Sequence, residues 1–360
     1  MSREGAPVPV PAALGFRMPA EWEPHAATWI AWPHNISDWP GKFAPVPWVY
    51  GEIVRKLCRG ERVHVLVSSV AHEHSARGIL ARIGAEEAAV DFHRVPTNRT
   101  WMRDFGPVFI RTEVPRKELA VAGFRFNAWA KYPDWQKDCR VADAIARSTG
   151  RRRFVATANG KDVVLEGGSI DVNGRGALLT TEECLLDTAV QPRNPHLDRT
   201  GVETMLRDYL GATKVLWLGK GIAGDDTHGH VDDLCRFVGP ATIVLCRERD
   251  SDDANYRPLE ENRERLEGFR LDDGSKPEIA FLPMPAPLFM RGQRLPASYA
   301  NFYIANGTVL VPTFNDANDR VALGILAELF PDRTVVGIHA VDLVWGLGTL
   351  HCLTQQEPAV

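Results

Sequence analysis

Residues able to carry chemistry are gathered into five short islands in this chain. They are Trp101-Met-Arg-Asp-Phe-Gly-Pro107, Glu166-Gly-Gly168, Gly224-Asp-Asp-Thr-His-Gly-His-Val-Asp-Asp233, Ser298-Tyr-Ala-Asn301 and Gly346-Leu-Gly-Thr-Leu-His-Cys352. Cys352 follows a Gly-x-Gly and a His, and such glycines let the backbone approach a ligand. Its thiol, ordinarily with a pKa of about 8.5, becomes a strong nucleophile only when deprotonated, which a nearby imidazolium or a cationic substrate would favour. In His228-Gly-His230-Val-Asp232 the alternation predicts a strand with His228, His230 and Asp232 on one face. An imidazole beside a carboxylate suits acid–base catalysis near neutral pH. Asp104 and Asp232 could grip a planar guanidinium from two sides through charge-assisted hydrogen bonds. Trp101 could then cover the cation with its ring face.

Each island also has a structural reading. A cysteine can be an inert core residue, and that reading is given to Cys58, Cys235 and Cys246 in their apolar runs and to Cys139 and Cys184. Asp104 can be a turn residue, Glu166 part of a plain turn, and the two histidines metal ligands. A metal site would need further ligands, and the sequence has no second histidine cluster.

The elements that must position these residues alternate between strands and helices. Strands are expected at 62–69, 90–95, 108–111, 214–218, 241–246, 309–311 (ended by Pro312) and 334–338, and helices at 71–83, 141–148, 202–210, 255–266 and 321–330. This is an α/β pattern. With no linker-like composition shift, residues 16–360 read as a single domain behind a loose, proline-bearing arm at 1–15. Asp104, Glu166, His230, Asn301 and Cys352 recur at intervals of roughly 50–70 residues, the length of a supersecondary unit. Such spacing suits units that each send one residue to a shared centre, although no repeat is visible in the sequence itself.

Composition narrows the possibilities. The chain has 360 residues, 44% of them hydrophobic and 24% charged, which fits a globular protein with a substantial core. A net charge of −4 argues against a nucleic-acid partner and suits a small cation. The six cysteines follow no zinc template, and unpaired thiols predict a cytoplasmic protein. No apolar run reaches the roughly 18 residues of a membrane span, and the N-terminus has no signal-peptide pattern.

The segments Met18-Pro-Ala-Glu-Trp22, Thr28-Trp-Ile-Ala-Trp-Pro33, Trp101–Pro107, Phe126-Asn-Ala-Trp129, Leu165-Glu-Gly-Gly-Ser-Ile170, Thr181-Glu-Glu-Cys-Leu-Leu186, Gly229-His-Val-Asp232, Ala297–Asn306 and His351-Cys-Leu-Thr-Gln-Gln356 together resemble the agmatine deiminases, of the bacterial peptidyl-arginine deiminase family of guanidine-modifying enzymes. The resemblance runs from about Met18 to Pro358. It implies a five-bladed α/β propeller (pentein) of pseudo-repeated units around a polar centre, with no cofactor and no metal. It carries the nucleophile to Cys352, the acid–base histidine to His230, the guanidinium-binding aspartates to Asp104 and Asp232, and the family's acidic residue to Glu166. Trp101 and Asn301 fall on positions near the substrate. The implied reaction is attack of the Cys352 thiolate on the guanidinium carbon, loss of ammonia, and hydrolysis of the resulting amidino-thioether to a ureido product, N-carbamoylputrescine in the case of agmatine.

Three features depart from the pattern. Gly346-Leu-Gly-Thr-Leu replaces the usual Gly-Gly-Gly-Asn-Ile before His-Cys. The loop before His230 is one residue shorter than in plant members, and an acidic residue there, Asp226, would meet a distal ammonium. Arg125, on an expected strand entering Phe126-Asn-Ala-Trp129, either points to solvent or faces the pocket and favours a carboxylate, as in arginine or a peptidyl arginine. The other readings are a deiminase of such a compound, an amidinotransferase, a metallohydrolase and a noncatalytic ribosome-associated propeller. Members of the family it resembles often form homodimers, so a homodimer is expected.

Overall fold

The computed structural model describes residues 9–360. Five sheets of three or four strands carry the fold. Each is built on a strand whose residues are almost all buried: His25–Ala31, Glu118–Gly123, Ala177–Thr181, Thr242–Arg247 and Thr308–Thr313. A strand covered on both faces needs a near-continuous apolar run, and these supply it.

Every such strand has one antiparallel and one parallel neighbour. The antiparallel partners are Thr354–Pro358, Val108–Thr112, Asp171–Val172, Cys235–Phe237 and Tyr303–Ala305. The parallel partners are Arg62–Val67, Arg152–Val155, Lys214–Leu218, Glu278–Pro283 and Thr334–His339. Parallel neighbours require a crossover, provided by the helices Val46–Leu57, Val141–Ser148, Arg199–Leu210, Tyr256–Gly268 and Asn318–Leu329. The same strand–strand–helix–strand unit thus occurs five times, as the blades of a pentein-type α/β propeller. The first blade has an extra helix, Val70–Arg82, and an extra parallel strand, Val90–Arg94, and is completed by the C-terminal strand Thr354–Pro358.

Most expected elements form, with informative differences. The helix expected from Val202 starts at Arg199, because the Asp198 carboxylate accepts from Gly201 N and caps it three residues earlier. Pro312 does not end its strand. The antiparallel neighbour reaches only as far as Leu310, so beyond it Pro312 lies on an edge, where a missing N–H costs no ladder bond on that side. Of the expected arm, residues 1–8 lie outside those described. Pro11–Leu14 form a short 3-10 helix closed by Gly15 at φ 80°, and Met18 N donates to Leu210 O at 2.9 Å. Among the described residues, no helix is long and apolar enough to cross a membrane.

The blades are tied together by a buried charge cluster. Glu21 accepts from Arg236 Nη2 at 3.0 Å, Arg103 Nη2 at 3.1 Å and Ile304 N at 2.8 Å, and its Oε2 lies 2.7 Å from His351 Nε2. Arg236 also holds Asp171 and donates to the carbonyls of Ala300 and Phe302. Burial alone would raise the Glu21 pKa, but Arg236, His351 and Arg103 outweigh it and hold the carboxyl well below its usual range. Removing one partner of such a cluster strands the remaining charges. Arg236→Met, which leaves Glu21 and Asp171 short of a cation, is expected to lower unfolding free energy by about 3–5 kcal/mol, measured by urea denaturation at neutral pH.

Candidate active site

Each blade's antiparallel strand is entered through a short turn, and these turns carry the island residues. Asp104 sits on Met102–Phe105, Glu166 directly before Gly167–Ser169, Asp232 on Val231–Asp233, and Cys352 on Leu350–Leu353. Asn301 precedes Tyr303–Ala305. Asp104, Glu166, His230, Asp232, Asn301 and Cys352 are all buried.

His230 stands among three carboxylates. Its Nδ1 is 3.8 Å from Asp104 Oδ1 and 4.0 Å from Asp232 Oδ1, and its Nε2 is 3.7 Å from Glu166 Oε2. Neither ring nitrogen has a hydrogen-bond partner among the described residues, nor does Asp232 Oδ1. Burial would lower the imidazole's pKa, but Asp104, Cys184 and Glu166 reverse this and raise it well above its ordinary value, so His230 is an imidazolium. Glu166 is clamped by Arg193 Nε at 3.1 and 3.3 Å. Against the effect of burial, Arg193 and His230 bring its pKa down to about 2.

Asp104 accepts from Trp129 Nε1 at 2.9 Å and Gly168 N at 3.1 Å. Burial raises its pKa to about 6, partly opposed by His230. The space between the two aspartates is kept open by Gly168. A Cβ there would lie 2.6 Å from His230 Nδ1, 2.9 Å from Asp104 Oδ1 and 3.0 Å from Asp232 Oδ2.

Cys352 Sγ accepts from Asn301 Nδ2 at 3.1 Å and lies 3.9 Å from Asp232 Oδ2. Asn301 also fixes the turn, its Oδ1 accepting from Thr349 Oγ1 at 2.7 Å and His351 N at 3.0 Å. Burial, followed by Asp232, Asp233 and Asp104, pushes the Cys352 thiol well above its ordinary pKa. In this environment it is a neutral thiol, and an arriving cation would offset the carboxylates that suppress ionisation.

A cavity of about 460 Å³ borders this cluster through Trp129, which donates to Asp104, although Asp104, His230, Asp232 and Cys352 do not themselves line it. Trp101, Trp129 and Leu347 form part of its wall. Trp101 packs on Trp39 at 5.4 Å between ring centroids, and a Cβ on Gly348 would meet its ring at 2.7 Å. Leu347, where the family pattern has glycine, takes the left-handed conformation at φ 69°, which costs a residue with a side chain about 1–2 kcal/mol.

Two sequence expectations are corrected. His228–Asp232 is not a strand: His228 and Gly229 have φ of 65° and 92°, and Val231–Asp233 is a 3-10 turn. His228 instead pairs with Asp187, its Nε2 lying 2.6 Å from Asp187 Oδ2. Arg125 does not face the pocket. Its backbone bridges to Val164, and its side chain, 48% exposed, lies over Trp135 and 3.5 Å from Asp162 in a separate cleft. Asp226 does line the cavity, but its oxygens are engaged by Lys131 Nζ at 2.5 Å and Tyr132 Oη at 2.7 Å.

Sequence reasoning assigned no role to Arg193, His351 or Asp233, and read Cys184 as inert. His351 Nδ1 lies 2.7 Å from Asp232 Oδ2, linking that aspartate to Glu21. Asp233 Oδ1 accepts from Asn301 Nδ2 at 3.0 Å. Only adjacency to Asp232 and Cys352 could have flagged Asp233 and His351. Two trios, Glu166–Cys184–His230 and Asp232–Asp233–Cys352, have ligand atoms within 4.8 Å of one another. Arg193 already neutralises Glu166, and His230 is itself cationic, so the first trio is a poor seat for a metal cation.

The profile of the Porphyromonas-type peptidyl-arginine deiminase family matches residues 17–358. An agmatine deiminase of Pseudomonas aeruginosa (strain LESB58) is 35% identical, with 98% of each chain covered. One from Medicago truncatula is 37% identical, covering 97% of this chain and 98% of its own. A solved structure of the agmatine deiminase of Enterococcus faecalis, 32% identical, superposes with a TM-score of 0.88 over 98% of each chain.

The thiol's surroundings give a direct test. Alkylation of Cys352 by iodoacetamide, followed by mass spectrometry, is expected to keep accelerating with pH beyond the ordinary thiol range of about 8–9. Asp232→Asn removes one opposing carboxylate, so it lowers the thiol's pKa and accelerates the reaction at neutral pH.

Proposed function

The chain belongs to the Porphyromonas-type peptidyl-arginine deiminase family, and from that premise we propose that it is an agmatine deiminase, hydrolysing the guanidinium of agmatine to N-carbamoylputrescine and ammonia. One observation carries the reading into this chain's own residues: a buried slot holds Asp104 and Asp232 on one side of His230, with Cys352 Sγ 3.9 Å from Asp232.

The guanidinium enters between Asp104 and Asp232, whose carboxylates take its N–H groups in charge-assisted bonds. Its positive charge offsets the carboxylates that keep Cys352 protonated, and the thiol gives its proton to solvent. The thiolate forms a bond to the guanidinium carbon, and the C=N π pair moves onto nitrogen. Asp104 and Asp232 hold the carbon in line with sulfur as it becomes tetrahedral. His230, an imidazolium held beside Glu166, protonates the departing nitrogen, and the C–N bond breaks to release ammonia. The neutral His230 then takes a proton from water as the hydroxide adds to the amidino-thioether carbon. Collapse breaks the C–S bond as the C=O bond forms, and the hydroxyl proton passes to the departing sulfur, leaving the ureido product and the restored thiol. Asn301, donating to Sγ at 3.1 Å, supports the sulfur in its anionic stages.

Incubation with agmatine is expected to yield equal amounts of ammonia and N-carbamoylputrescine, and Cys352→Ala to abolish both. Normal turnover by that variant would remove Cys352 from the mechanism. Asp104 must be ionised to take the cation and its carboxyl has a pKa of about 6. Accordingly kcat/KM should fall as pH drops through about 6, because the protonated carboxyl no longer pairs with guanidinium. A pH–rate profile measured with saturating and limiting agmatine checks this.

A further inference from the structure

Two glycines fix the course of the chain just before the nucleophile. At Gly346 a Cβ would lie 2.6 Å from the ring of Trp39, and at Gly348 it would lie 2.7 Å from the ring of Trp101 and 3.2 Å from Cys352 Cβ. Trp39 is itself held, its Nε1 donating to Leu343 O at 2.9 Å. The residue between the two glycines therefore has little freedom in its backbone. Leu347 N donates to Val344 O at 2.9 Å, and its φ is 69°, in the left-handed region. Glycine would take that conformation without strain, whereas leucine takes it at a cost. What a leucine offers here in return must lie in its side chain. That side chain is half-buried and lines the cavity together with Trp101 and Trp129. Trp129 is also left-handed, at φ 57°, and its ring has a task at the site, since Nε1 donates to Asp104 at 2.9 Å.

We propose that Leu347 is a specificity-determining residue. Its side chain narrows the cavity where the substrate's tail leaves the guanidinium slot, so a guanidine on an unbranched carbon is accepted and one on a branched carbon is refused. This rests on the agmatine reading above and adds to it the shape required of the chain next to the reacting group. The neighbours set the placement. Gly348 fits between Trp101 and Cys352, so Leu347, one residue earlier, stands on the sulfur side of the slot. Trp129 reaches the slot from its own side through Asp104. A tail leaving a guanidinium held by Asp104 and Asp232 crosses the wall that these three side chains make. A plain methylene chain is slim enough to lie along the Trp101 ring. A methyl branch on the carbon bearing the guanidine nitrogen needs volume that Leu347 fills, and a packed apolar wall yields such volume only at a cost.

The test compares agmatine with its analogue carrying a methyl branch on the carbon bound to the guanidine nitrogen. In the parent enzyme agmatine has the higher kcat/KM by about 10- to 200-fold, the range an apolar site attains against one added carbon. Leu347→Gly permits the same backbone and empties the volume, so the ratio is expected to fall at least about tenfold. Leu347→Asn keeps a branched side chain of similar reach and tolerates the left-handed conformation, so it retains most of the ratio. That variant separates occupied volume from a loosened loop. The proposal is overturned if the parent does not discriminate, if the ratio persists in Leu347→Gly, or if Leu347→Asn loses it to the same degree. Should Leu347→Gly fail to fold, Leu347→Ala trims most of the same atoms and is judged by the same ratio. A parent enzyme that turns over neither compound overturns the deiminase reading and this inference with it, whereas equal turnover of both overturns this inference alone.

Discussion

A single buried carboxylate, Glu21, governs what the centre of this molecule can be. It faces two arginines, a histidine and a backbone N–H contributed by different blades. In a ring of blades the strands' entry turns all point inward, so polar backbone and side chains meet in a buried interior. Every charge there must find its opposite within the protein. Glu21 does this for Arg103 and Arg236, and through His351 it is linked to Asp232. The guanidinium slot is thus one end of a network whose other end is structural. Asp232 is steady in position and charge because His351 has a carboxylate on each ring nitrogen.

The same lack of solvent sets the protonation of the working groups. Carboxylates crowd around His230 and raise it, and they raise Cys352 as well, so the imidazole is charged while the thiol is not. Arg193 keeps Glu166 ionised beside His230. Asp233 is raised well above its usual range by burial and then by Asp232. The set is short of one positive charge at the slot, and a guanidinium provides it. Binding and activation of the sulfur are then one electrostatic event, in a low-dielectric site where such effects are large.

How much of this was readable from the sequence depended on the kind of signal. Amphipathic helices such as Val141–Ser148 were found at their true ends, because a helix with one buried face announces its period. The blade-central strands His25–Ala31, Glu118–Gly123 and Ala177–Thr181 were not expected as strands. Buried on both faces, they have no alternation to detect, and they lack the unbroken Ile-Val-Leu run that marks 241–246 as a strand. The polar islands were legible as separate chemistry, and their even spacing suggested blades, yet only the family resemblance joined them into one site. His228 was misplaced because alternation in Gly-rich sequence was taken for a strand, whereas two positive φ values turn the chain. Arg193 was invisible: nothing in its local sequence says that it will meet Glu166.

The strand Thr354–Pro358 pairs with His25–Ala31 across more than three hundred residues of chain. That pairing completes the first blade, and the turn leading into it bears the nucleophile. Non-local closure of this kind is slow, because the entropy of joining distant segments is lost before any contact compensates for it. During synthesis the N-terminal blades emerge with their first sheet missing a strand, and an uncovered edge is a template for unwanted pairing. Reactivity arises in the same step that seals this edge. A chain that has not paired this strand has neither its sulfur near Asp232 nor a complete cradle, so a competent thiol appears only with the closed ring.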